Sequence, residues 1–233
     1  MLALDTIEVR YGQALAVAGV SLEVPAGRWI ALVGANGAGK TSLLRATVGL
    51  VRHRGRVMLD GEDISGLPPW ERQRHGFGYV PEGRQIFPQM TVEENLRVGG
   101  YTCDAPGLRR GLDTAYGLFP RLAERRTQLA STMSGGEQQM LALARALMTR
   151  PKLLLVDEIS WGLMPILVKQ VFEHLKALHA AGIAIFQVEQ NAHEALRHAE
   201  HAYVMSAGEL VLEGPAAEVA CDPRVVESYV GAV

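Results

Sequence analysis

Cysteine is almost missing from this sequence: Cys103 and Cys221 are the only two. Two thiols cannot build a disulfide framework, so a reducing compartment is the expected setting. Excess charge of either sign is missing too. A formal net charge of −2 excludes a strongly basic nucleic-acid binder, and 48% apolar content excludes a disordered chain. No apolar run approaches the ~18 residues of a membrane-spanning helix. The opening stretch "MLALDTIEVRYG" lacks the basic flank and apolar centre of a secretory leader. A soluble protein is expected, with any membrane role passing through a partner. There is no internal repeat and no low-complexity linker, and the seven histidines are scattered without metal-ligand spacing.

What is present reads as one α/β domain. "IEVRY" and "VSLEV" alternate like half-buried strands, and "RVMLDGEDI" reads as a hairpin turning at Asp60-Gly61. "WIALV" (29–33), "LLLVD" (153–157) and "IAIFQV" (183–188) are apolar bursts without alternation, the pattern of parallel strands covered on both faces. Pro165 and Gly182 bracket a long helix between the last two bursts, so strand, helix and strand imply a parallel sheet with right-handed crossovers. Residues 91–150 read as helical. Thr91 and Glu94 form a capping box before "ENLRV", and 108–126 is amphipathic and rich in arginine.

The strongest chemical signal is "GANGAGKT", which matches G-x-x-x-x-G-K-[ST] between the strand "WIALV" and the helical "TSLLRATVGL". Gly34, Ala35, Asn36, Gly37, Ala38 and Gly39 form a loop whose backbone N–H groups can converge on one anion. The helix behind it adds partial positive charge. Lys40 is expected on the β- and γ-phosphates and the Thr41 hydroxyl on Mg²⁺, with Ser42 following in the same nucleotide-binding turn. "LLLVDE" supplies the other half. Asp157 ends a buried strand, which suits an outer partner of Mg²⁺, and Glu158 is placed to accept a proton from an attacking water.

"STMSGGEQQM" (131–140) raises a different question. Ser134 and Glu137 make a second capping box, so a helix starts here, yet Gly135 and Gly136 are poor helix starters. Glycines in that place point to something approaching the backbone closely.

The order "GANGAGKT", "MSGGE", "LLLVDE" resembles the ATP-binding-cassette ATPases, over essentially the whole chain. The resemblance implies an α/β fold: a phosphate-loop NTPase core with a mainly parallel sheet, an N-terminal antiparallel β region and an inserted helical subdomain. The whole of 1–233 would be one such domain, with the insertion at about 91–150. It implies ATP and Mg²⁺ as cofactors. It also implies that Ser134, Gly135, Gly136 and Glu137 cap the γ-phosphate of ATP held by a second ATPase subunit, sister or self, in a sandwich dimer. Tyr11 falls where an aromatic residue stacks on adenine, and "SWGL" (160–163) where a loop reaches the partner's site. "RQIFPQMTVEENL" (84–96) falls where a membrane permease docks. Its Ile86, Phe87 and Met90 are either an apolar groove needing a cover or core at the subdomain junction.

Departures from the family pattern are Glu82 for the usual glutamine, Gln190 for the usual histidine, and Ile159 and Trp161 after the catalytic glutamate. Glu82 keeps oxygen ligands for Mg²⁺ or water, whereas Gln190 can hydrogen-bond a γ-phosphate but cannot carry a proton. These departures, with "VPEGRQIFPQMTVEENLRVGG" and "VEQNAHEAL", resemble one subgroup: the shorter ATPase subunit of branched-chain amino-acid importers. That implies permease subunits, a solute-binding protein acting indirectly, no nucleic acid, and a cytoplasmic place on the inner face of the membrane. Urea or short-chain amide importers, a non-transport cassette ATPase and a hydrolysis-poor regulatory subunit are the alternatives.

Overall fold

The computed structural model describes residues 1–225. In chain order come strands β1 (Leu2–Tyr11), β2 (Ala14–Val24) and β3 (Trp29–Val33), helix α1 (Lys40–Thr47), strands β4 (His53–Leu59) and β5 (Glu62–Asp63), helix α2 (Pro69–Arg74) and strand β6 (Phe77–Val80). Helices α3 (Val92–Gly99), α4 (Ala105–Leu118), α5 (Pro120–Glu124) and α6 (Gly135–Leu147) follow. The chain then alternates through β7 (Leu153–Asp157), α7 (Pro165–Ala180), β8 (Ala184–Glu189), α8 (Ala192–His198), β9 (His201–Ser206), β10 (Glu209–Pro215) and α9 (Ala216–Val219).

These strands make two sheets. One is antiparallel in the order β2-β1-β4-β5; the other runs β10-β9-β3-β8-β7-β6 and is parallel except where β10 turns back on β9. Every residue of β3, β7 and β8 is buried, which is why their sequences show no alternation. The pleat still sorts them. Leu153, Leu155 and Phe186 face a core shared with the antiparallel sheet and α1, while Leu154, Val156 and Ile185 face one shared with α6 and α7. Each such side chain contributes roughly 1.5–3 kcal/mol by leaving water.

Two local details depart from a plain reading of the pattern. In β1 the inward residues Leu4 and Ile7 are three apart, a spacing that regular pleating forbids. A bulge with Thr6 at φ 51 resets the phase, and Gly55 lies opposite, where a Cβ would come within 2.4 Å of the Thr6 carbonyl oxygen. The amphipathic stretch 108–126 is two helices, not one. Pro120 lacks an N–H and pushes Phe119 out of helical geometry, so α4 ends and α5 begins there. Elsewhere the signals act as read: Asp60 (φ 51) and Gly61 (φ 84) turn the β4–β5 hairpin, Pro165 opens α7, and Gly182 (φ 92) follows its end. Both cysteines are free.

Candidate nucleotide-binding and hydrolysis site

The loop 34–39 leaves the carboxyl end of β3, the central strand between β8 and β9, and runs into α1. Ligands of open α/β sheets collect at such strand ends. Glycine is required here for two reasons. A Cβ on Gly34 would lie 2.2 Å from the Met205 carbonyl oxygen, and one on Gly39, at φ 103, would lie 2.2 Å from that of Ala16. Ala38 is buried beneath the loop, whereas Ala35, Asn36 and Gly37 form an exposed tip. Gly39 offers α1 no side-chain cap and the first turn holds no acidic residue, so its N–H groups keep their capacity for an anion.

Lys40 is only 3% exposed. Its Nζ donates to the carbonyls of Gly34 (2.8 Å) and Ala35 (3.1 Å) and lies 3.3 Å from Glu158 Oε1. The Thr41 hydroxyl donates to Asp157 Oδ1 at 3.0 Å, and the Tyr79 phenol to Oδ2 at 3.4 Å. Asp157 is fully buried, and that burial pushes its carboxyl up to about 6, helped by the nearby Glu158 and Glu82 charges and opposed by the Thr41 hydrogen bond. Burial likewise raises the Tyr79 phenol, which keeps it a donor.

A cavity of about 400 Å³ lies over this loop. Tyr11, Asn36, Gly37, Gly39, Lys40, Thr41, Ser42, Glu82, Glu158 and Trp161 line it. Tyr11 ends β1 and is 48% exposed, so its ring is free to receive a flat partner. Gln190 lies outside this lining. It follows β8 and lines a second cavity of about 780 Å³, which shares Glu158 and Trp161 with the first. Glu158 therefore sits on the wall between the two.

Ser134–Glu137 belong to neither cavity. Ser134 Oγ accepts from the Glu137 N–H, and Glu137 Oε2 accepts from the Ser134 N–H and hydroxyl, closing the capping box of α6. Within the chain the Arg84 guanidinium lies 3.0 Å from where a Gly135 Cβ would stand, and Leu167 lies 2.9 Å from that of Gly136. Both glycines thus have intrachain neighbours as well.

The Glu158 and Glu82 charges both act on Asp157, and a divalent cation there would offset that repulsion. Among the described residues no group of three or more His, Cys, Asp or Glu could hold a metal by itself. Mg²⁺ does not ask for one, because it binds through one or two protein oxygens together with phosphates and water. The buried Asp157 carboxylate and the Thr41 hydroxyl beside it fit that donor set.

A family model described as ABC transporter matches residues 17–160. The chain belongs to the ABC transporter family. High-affinity branched-chain amino acid transport ATP-binding protein BraG of Pseudomonas aeruginosa is 45% identical over 232 residues, 99% of this chain and 100% of that one. Lipopolysaccharide export system ATP-binding protein LptB of Haemophilus influenzae is 35% identical over 236 residues, 99% of this chain and 97% of that one. Among solved structures, the ADP conformation of MJ1267, an ATP-binding cassette of an ABC transporter, superposes with a TM-score of 0.87 at 30% identity, covering 99% and 98% of the two chains. This ABC transporter subunit therefore has the cassette fold, binds ATP and hydrolyses it.

Sequence reasoning passed over three residues that the geometry brings in. Tyr79 reaches Asp157 from β6, and Arg84 lies over Gly135. The third is Glu189, which ends β8 with 1% exposure. Only Glu189 carried a signal: an acid closing the apolar burst "IAIFQV" has no reason to be there unless something pairs with it.

Proposed function

We propose that this ABC transporter ATPase drives an importer of branched-chain amino acids through a separate membrane permease. The observation that carries the solute class is 45% identity to BraG along both whole chains, against 35% to LptB. Gly34–Ser42 would cradle the phosphates and Tyr11 would stack on adenine. Thr41, Asp157 and Glu82 would hold Mg²⁺, which supplies positive charge against the β- and γ-phosphates. Glu158 takes the proton from the water that attacks the terminal phosphorus, its carboxylate fixed by Lys40. Gln190 would donate a hydrogen bond to the γ-phosphate from the neighbouring cavity, which meets the nucleotide cavity at Glu158.

Ser134–Glu137 would serve the nucleotide of a second ATPase subunit, a reading supported by their place outside this chain's own cavity. Residues 91–150 would form the helical subdomain. No helix of the described residues is long and apolar enough to cross a membrane, so membrane attachment would come through the permease. The groove offered to it is about 460 Å³, lined by Leu50, Trp70, Phe87 and Val98. Phe87 is 42% and Met90 37% exposed, while Ile86 packs against the helical core. Two cassettes closing on ATP and parting after hydrolysis would drive alternating access.

Copurifying the chain with its permease and solute-binding protein in vesicles tests the solute. Leucine, isoleucine or valine should stimulate ATP hydrolysis, and stimulation by urea or acetamide alone would overturn the assignment.

A further inference from the structure

Glu189 is a carboxyl where a carboxyl is costly. It is the last residue of β8 and fully enclosed, and among the described residues no cation pairs with it. Its oxygens are nonetheless satisfied. Oε2 accepts from the Ser160 hydroxyl at 2.8 Å, and Oε1 accepts from the Ser160 N–H at 3.2 Å and from Gln187 Nε2 at 3.4 Å. Gln187 in turn accepts from the indole N–H of the buried Trp29 at 3.0 Å. One buried polar chain therefore runs from the centre of the sheet to the loop that follows Glu158.

That loop needs holding. Glu158 has φ 44, a left-handed backbone that a non-glycine residue keeps only when its surroundings over-determine it. Four bonds do so here: the Glu158 N–H donates to the Val188 carbonyl at 2.9 Å, the Trp161 N–H donates to the Glu158 carbonyl at 3.1 Å, and Ser160 is clamped at both its N–H and its hydroxyl by Glu189. Glu189 also directly precedes Gln190. A single side chain thus joins the two segments that carry Glu158 and Gln190.

We propose that Glu189 is a positioning residue for hydrolysis, clamping Ser160 so that the strained turn holds the Glu158 carboxylate against the site. The inference rests on the reading of Glu158 as the water-activating group. Burial pushes the Glu189 carboxyl up to about 7, opposed by the Ser160 and Gln187 hydrogen bonds and raised further by Glu158. A glutamine keeps one acceptor for the Ser160 N–H and turns its amide to the hydroxyl, which can accept; an alanine keeps neither.

The test uses the full-length chain with ATP and Mg²⁺ in single turnovers, with ATP affinity measured separately. Glu189→Ala should lower the hydrolysis rate roughly 10²-fold, the cost of a reacting group displaced by about 1 Å. Glu189→Gln should restore it to within about threefold. Ser160→Ala, a change in a half-buried loop that leaves the core intact, should lower it about fivefold. ATP affinity should stay within about twofold throughout, since no phosphate contact is touched. Trp161 fluorescence anisotropy, read with Trp70→Phe in the background and against a Trp161→Phe control that leaves only Trp29, should fall in Glu189→Ala as the loop loosens. Glu158→Gln runs alongside as a reference. Full hydrolysis in Ser160→Ala beside an inactive Glu158→Gln would overturn the proposal alone, even if Glu189→Ala failed to fold. Full hydrolysis in Glu158→Gln would overturn the reading of Glu158 and this proposal with it.

Discussion

Two glycine-bearing loops open two helices in this molecule, and they end in opposite ways. At α1 the N-cap is Gly39, with no side-chain acceptor, and the groups a nucleotide requires stand around it in the same chain: Lys40, Thr41, Asp157 and Glu158. At α6 the N-cap is Ser134, whose capping box with Glu137 is complete, and it does not line the cavity over the first loop. The first loop is an anion site with its own chemistry attached. The second is a capped helix start whose Gly135 is half-buried under Arg84 and whose Gly136 is buried against Leu167, with no such chemistry of its own. Under the proposed function, the first loop works for its own chain and the second for another.

The largest effect should come from breaking the chemistry at the first loop while sparing its binding. Glu158→Gln is expected to lower hydrolysis by about 10²–10⁴-fold with ATP still bound, measured by single-turnover rates and equilibrium binding. Lys40→Ala should instead weaken ATP itself, by about 10- to 10²-fold in Kd, the usual range for a lost charged hydrogen bond. It also strands Glu158, buried at 9% exposure, without its cation. Equal loss of binding in both variants would mean that Glu158 supports the loop and does no chemistry.

Much of this was legible in residue order, for identifiable reasons. Phosphate loops and fully covered strands are local: "GANGAGKT" must follow a strand and precede a helix, and "LLLVD" needs no partner to be recognised as buried. The start of β1 was not legible, because the bulge at Thr6 breaks the alternation that marks a strand. Arg84 over Gly135 could not be read either. Those residues are distant in sequence, and Gly83, Arg84 and Gln85 all take positive φ, a course that composition does not announce. The network through Glu189 was hidden for a similar reason. Glu189 stands out as an acid closing an apolar burst, but its partners are ordinary residues, and only the register of β8 beside β7 and β3 brings Ser160, Gln187 and Trp29 to it.

A smaller change in binding, but a sharper division between the loops, is expected at Gly135. Gly135→Asp should leave ATP affinity of the isolated chain within about twofold, because its phosphate loop is untouched. Hydrolysis should fail, since a carboxylate would face the γ-phosphate held by the partner subunit. Arg84 complicates this, as its guanidinium lies 3.0 Å from the new Cβ and would partly neutralise the added charge. Adding Arg84→Ala should therefore remove any trace of hydrolysis that the neutralised charge still permits. In a homodimer, mixing Gly135→Asp with Lys40→Ala places both lesions on one composite site and leaves the other whole. Residual hydrolysis in that mixture, against none in either pure variant, is the expected result. Loss of ATP binding by the isolated Gly135→Asp chain would show that both loops serve their own chain, and the comparison would collapse.

The smallest expected effect separates capping from catalysis at the second loop. Ser134 Oγ accepts from the Glu137 N–H at 3.4 Å and donates to Glu137 Oε2 at 2.8 Å, so the hydroxyl holds the first turn of α6 from both directions. Ser134→Ala removes both bonds and should cost about 1 kcal/mol of folding stability, read as a lower urea midpoint with an unchanged slope. Ser134→Thr keeps the hydroxyl and should recover most of it. At α1 no equivalent loss exists, because Gly39 has no side chain to remove. Neither serine variant touches Lys40 or Thr41, so ATP affinity of the isolated chain should not move. An unchanged urea midpoint in Ser134→Ala would mean that burial of Leu141, Ala142 and Leu143 alone fixes this helix. The capping box would then be incidental, and Ser134 would be free for a partner's phosphate without any structural duty.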